Sequence, residues 1–109
     1  MEDHNEIQKA RALIARDMEW DNEEEIKTEA ELIRLLSQHI AWLIDRRTEH
    51  LFSLMYRLDI PEEKVRAALL PGNDEAPAHA LARLVVERQK QRLATRRQYP
   101  PEKLDDDWW

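Results

Sequence analysis

Apolar residues between Glu23 and Leu58 recur at Ile33, Leu36, Ile40, Ile44, Leu51, Met55 and Leu58, and this stretch holds neither proline nor glycine. With Thr48 filling the gap between Ile44 and Leu51, the spacing averages about 3.6 residues, the period of an α-helix. Asp21 and Glu24 stand at the spacing of a capping box, and Glu23, Glu24 and Glu25 suit the positive end of a helix. The pattern predicts one long helix over about 22–58. At about 1.5 Å per residue such a rod is roughly 54 Å long, more than the diameter of a domain of this size, so it either breaks or has its ends covered. The polar run Asp45-Arg46-Arg47-Thr48-Glu49-His50 is its weakest stretch, but polar residues on one side do not stop a helix, and the prediction keeps it continuous.

Three further helices follow from the same reasoning. Ile7, Ala10, Leu13, Ile14 and Met18 give an amphipathic helix over 4–19. Pro61 pre-sets the backbone of a first turn, Glu62 and Glu63 favour the positive end, and Val65, Ala68 and Leu69 share a face, giving a short helix over 61–70. Pro71-Gly72-Asn73-Asp74-Glu75-Ala76-Pro77 gathers turn-forming residues into a loop. Ala78, Leu81, Ala82, Val85 and Leu93 then mark a helix over 77–98, well anchored at first and thinly after Val86. Pro100-Pro101 ends it and leaves a tail, 100–109, that is acidic and closes on Trp108 and Trp109. The expected fold is all-α: a small bundle of three to four helices around one long central helix, in a single domain over 1–99.

Composition narrows the chemistry. The chain has 109 residues, a charged share of 37% against the usual 25% or so, one glycine and no cysteine. One glycine excludes phosphate-cradling loops that need two or three, and the absence of thiols removes disulfides, thiolate nucleophiles and thiolate metal sites. None of the four histidines has a glutamate three residues before it, as a carboxylate-bridged metal site in a bundle would require. Asp45, Glu49 and His50 read as a solvated face, and His39 as a histidine at the edge of the core. Ser37 and Ser53 lie in mid-helix without a placeable His and Asp, so no catalytic residue, metal or cofactor is assigned, and an enzyme is the less favoured class. The acidic opening lacks the positive and apolar stretches of a secretory signal, and the longest apolar run, Ile40-Ala41-Trp42-Leu43-Ile44, is far below the roughly 18 residues of a membrane span. The expectation is a soluble cytoplasmic protein with no membrane partner.

The charge map says more. Residues 1–63 carry 16 acidic and 8 basic side chains, whereas 83–98 carry six basic ones against Glu87 alone. Arg88, Arg92 and Arg96 are spaced at four, with Lys90 and Arg97 close by, and could present a stripe to an acidic protein surface or to phosphates. The alternative is internal pairing with the acidic body. A sequence isoelectric point near 5.2 makes nucleic acid the weaker partner. Leu58–Leu69 resembles the turn-and-helix opening of helix-turn-helix regulators over a dozen residues, but Glu62, Glu63, Lys64 and Arg66 cancel in charge, which suits an ordinary helix start better than a recognition helix. Leu32, Leu35, Leu43, Phe52 and Leu54 widen the stripe of the long helix beyond what one short helix covers, so the stripe serves either the chain's own core or a homodimer. Trp42 lies off the stripe and would anchor an interface if exposed. The sequence therefore favours a small helical protein-interaction module, an adaptor or regulatory subunit that self-associates, over a nucleic-acid-binding protein using the basic helix.

Overall fold

A computed structural model describes residues 4–98, and within them every regular element is helical: α1 (His4–Asp17), α2 (Glu29–Arg46), α3 (Thr48–Arg57), α4 (Glu62–Leu69) and α5 (Pro77–Gln98). The all-α bundle around a central helix is what the periodicity predicts. The central helix itself differs in two ways from the rod expected over 22–58, at its start and at Arg47. The tail 100–109, with Trp108 and Trp109, lies outside the described residues.

The start moves from Asn22 to Glu29. Two capping-box patterns compete here, and the one at Thr28 forms: its hydroxyl accepts from the Glu31 amide at 3.1 Å, and the Glu31 carboxylate accepts from the amides of Thr28 at 3.2 Å and Lys27 at 2.8 Å. Asn22 instead accepts from the Glu24 amide at 2.9 Å, a local turn that diverts the backbone from a helix. The longest dimension of the fold is 45 Å, so a straight rod of about 54 Å would project beyond it. Residues 19–28 fold back along α1 instead. Gln8 donates to the Ile26 carbonyl at 2.7 Å and Arg11 to the Asn22 carbonyl, while Trp20 and Ile26 turn into the core.

At Arg47 the backbone leaves helical geometry for one residue, with φ −144° and ψ 60°. The Thr48 hydroxyl donates to the Ile44 carbonyl at 2.7 Å, a back-bond of the kind that bends helices. The Arg47 amide still reaches Leu43 O at 2.7 Å, so the polar run bends the path without opening a loop.

Two helix ends are closed in a way that the residue types conceal. α1 ends at Glu19, with φ 55°, and the amide of Trp20 reaches the Ala15 carbonyl at 3.0 Å; α3 ends at Asp59, with φ 61°, and Ile60 reaches Met55 at 3.2 Å. Both are Schellman-type ends, where glycine usually takes the left-handed position. In each, the next residue, Trp20 or Ile60, is buried. The packing of these two side chains offsets the strain of a non-glycine residue with positive φ.

The stripe residues Ile33, Leu36, Ile40, Leu51, Met55 and Leu58 are all buried within the single chain, with Ile44 half-buried against them. Of the flanking residues, Leu32, Leu35, Leu43 and Leu54 are buried too, and Phe52 is exposed. The width of the stripe is thus used by α2 packing on α5 and on α1, with α3 continuing the same face. The weak second half of the α5 stripe is completed by Gln89, which is fully buried and donates to Asp17 Oδ2 at 2.9 Å. Replacing Thr28 by Ala should remove the cap of α2 and cost about 1 kcal/mol, lowering the melting temperature by roughly 4–8 °C in a thermal scan. An unchanged melting temperature would mean that the cap contributes nothing to holding the start of α2.

Candidate functional site

Among the described side chains, the basic residues of α5 meet partners within the same chain. Arg88 donates from Nε to the Leu58 carbonyl at 3.0 Å and lies 3.9 Å from Asp59; Lys90 pairs with Glu29 at 2.7 Å; Arg92 reaches Asp17 at 3.3 Å. Arg83 and His79 close on Glu75, and the hydrogen bond from Arg83, followed by that from His79, holds the Glu75 carboxyl at about 2. Arg96 and Arg97 fall on α5, but their side chains are outside the described ones. The stripe expected to face a partner is therefore, for Arg88, Lys90 and Arg92, also a set of struts to α1, α2 and the α3–α4 turn.

Large apolar side chains remain exposed at Trp42, Phe52, Tyr56 and Leu70. Trp42 alone of these lines a surface cleft of about 590 Å³, together with Trp20, His39, Glu19, Arg47 and His50. The cleft follows from the fold. His39 and Trp42 are one helical turn apart on α2, on either side of Leu35 at the border of its buried arc, and the fold-back after α1 brings Trp20 beside them. The three rings form a nearly parallel ladder: Trp20 and His39 have centroids 6.4 Å apart at 25°, and His39 and Trp42 6.3 Å apart at 12°. Trp20 is 6% exposed and Trp42 48%, so the ladder runs from the core to solvent.

The polar wall is organised by the strained end of α1. Glu19 accepts from His50 Nε2 at 2.8 Å, and Arg57 lies 4.0 Å away. The hydrogen bond with His50 is the main reason that its carboxyl sits below the usual range, with the charges of Arg57 and Arg47 adding to it. Asp21, Asn22 and Gln38 complete this side. His50, read from sequence as part of a solvated run with Asp45 and Glu49, is instead half-buried and tied to Glu19 across 31 residues.

His39 is the least satisfied group in the cleft. Burial pushes its imidazole below the ordinary value of 6.5; a hydrogen bond to the Met18 backbone opposes this, and His50 adds to it. Nε2 is covered and has no hydrogen-bond partner.

The sequence marked Trp42 and His39 but not Trp20 or Glu19. Trp20 follows a helix end that lacks glycine, and its neighbours arise only from the fold-back of 19–28. Among the described residues no group of His, Asp and Glu gathers as a metal site would, and no helix is long and apolar enough to cross a membrane. Ser37 donates to the Arg34 carbonyl at 2.6 Å, within its own helix. Comparison with protein families, with curated proteins and with solved structures finds no match to this chain.

A lowered histidine value fixes the sign of a pH effect. The unfolded chain takes up a proton at His39 near 6.5, and the folded chain only at lower pH, so the stabilisation from this group is fully present above 6.5 and is lost as pH falls toward the folded value. The imidazole NMR signals of His39 should titrate below 6.5. The melting temperature should fall in that window, with a shallower slope in His39→Asn. A midpoint above 6.5 would show that the ring is charged in the fold.

Proposed function

We propose that the chain is a small helical protein-interaction module, an adaptor or regulatory subunit, that receives its partner in the cleft beside Trp42. The observation that carries this reading is the half-exposed Trp42 at the mouth of the cleft, in a fold that buries nearly all its other large apolar residues on α2. A tryptophan at the centre of a concave surface, ringed by polar groups, is the usual composition of a binding hot spot. The basic stripe gives less support to a docking role, for acidic proteins and for nucleic acid alike, since Arg88, Lys90 and Arg92 each have a carboxylate of their own chain nearby. Self-association is part of the same proposal: Phe52 and Tyr56 lie exposed one turn apart on α3, and a second copy would cover them.

The test places a photo-crosslinking aromatic amino acid, which keeps a flat ring in the place of the Trp42 indole, at position 42, and separately at Glu62 on α4, in the native host. The reading expects a discrete crosslinked partner from position 42 only, competed away by unlabelled protein but poorly by Trp42→Ala. With the partner in hand, Trp42→Ala should weaken binding by about 2 kcal/mol, roughly 30-fold in Kd, while the fold is retained. Equal crosslinking from both positions, or competition unaffected by Trp42→Ala, would contradict it.

A further inference from the structure

We propose that the cleft takes an arginine side chain from a basic segment of a partner protein, its guanidinium stacked on Trp42 and its donors turned to the carboxylates of Glu19 and Asp21. This rests on the reading of the cleft as a docking site and names the chemistry of what docks.

Three features of the wall point the same way. The first is the flat face. Trp42 offers about half its surface to solvent next to the His39 ring, and a planar cation stacks on such a face with little loss of its own hydration. The second is a surplus of acceptors. Asp21 lines the cleft, is exposed and has no ion pair among the described residues, and Glu19 keeps Oε2 at a loose 4.0 Å from Arg57. A guanidinium has five N–H donors and no acceptor, the complement of this set. The third is the charge of the chain that leads out of the cleft: Glu23, Glu24 and Glu25 follow Asn22, all exposed, and of these Glu25 lies 3.9 Å from Lys27. The two basic side chains in the wall are both directed at Glu19, since His50 is bonded to it and the charge of Arg47 acts on the same carboxylate, which leaves Asp21 open.

Other occupants fit less well. An apolar segment would cover Glu19, Asp21, Arg47 and His50 without supplying polar partners. An acidic one would meet Asp21 and Glu19 as like charges. Lysine offers the charge but neither the plane nor the fork of donors.

The probe is a capped hexapeptide of glycine and serine around a single arginine, with counterparts carrying lysine, citrulline or glutamate in its place. It is titrated into the full chain and followed by NMR at the Trp42 indole and His39 imidazole. The arginine peptide should shift both signals, and the lysine and citrulline peptides should bind roughly tenfold more weakly. The glutamate peptide should not bind. Asp21→Asn should weaken the arginine peptide several-fold, and Trp42→Ala should abolish the response. Equal binding of the lysine peptide, or shifts confined to surfaces away from the cleft, would overturn the proposal as mere attraction to an acidic protein. Dissociation of a concentration-dependent dimer by the peptide would also overturn it, by moving the occupant to the basic end of a second copy. If the arginine peptide fails while position 42 still crosslinks a competed partner, only the arginine assignment falls. If both fail, the docking reading falls with it.

Discussion

The buried arc of α2 is too wide for a single neighbour. Leu32, Ile33, Leu35, Leu36, Ile40 and Leu43 are all buried on one 18-residue helix. At about 100° per residue they span roughly 160° of its circumference, against the narrower stripe that suffices for a helix lying on a surface. α5 covers part of the arc, and α1 with the fold-back segment covers more. Gln89 and Asp17 belong to the same requirement. Where α5 runs out of apolar residues, a buried amide takes the core position, and its donor is satisfied by a carboxylate that Arg16 and Arg92 also hold.

The cleft is a consequence of how that cover ends. Trp42 lies at one edge of the arc, with His39 just inside it, where α1 stops and the chain must turn. The left-handed Glu19 makes the turn, sets Trp20 into the core beside His39, and leaves its own carboxylate facing His50. Strain at Glu19, an unpartnered nitrogen on His39 and a half-exposed Trp42 thus meet within one surface feature. Such irregularities are where a sequence shaped only for stability would be expected to differ.

Much of this was open to sequence reasoning, and the failures have physical causes. The helices over 61–70 and 77–98 have strong punctuation in Pro61, the Pro71–Pro77 loop and Pro77, and they appear as α4 and α5 with little change. The expected start of the long helix rests on the spacing of Asp21 and Glu24 and leaves out Thr28 and Glu31, whose residue types match a capping box more closely. The deciding term is burial of Trp20 and Ile26, which depends on α1 being alongside. The kink at Arg47 was visible as a polar run but not as a bend, because it needs the Thr48 hydroxyl to claim the Ile44 carbonyl. In the candidate site, Trp42 was legible as an apolar residue off the stripe. Glu19 and Trp20 were not, since their partners lie far away in sequence and the helix end between them lacks its usual glycine. For Arg88, Lys90 and Arg92 the spacing left a partner-facing stripe and internal pairing both open, and the fold adds which carboxylates lie beside them: Asp59, Glu29 and Asp17.

The central claim is that one chain uses up the wide stripe of α2 internally and leaves Trp42 open as the surface for recognition. Fluorine NMR of the protein labelled with 5-fluorotryptophan tests it directly, by comparing signals in H2O and D2O over a range of protein concentrations, with assignment through single Trp→Phe variants. Trp42 should show a large solvent isotope shift that does not change with concentration, and Trp20 almost none. A Trp42 signal as shielded as that of Trp20 would mean that the face is already covered in the free protein, and the account would fail.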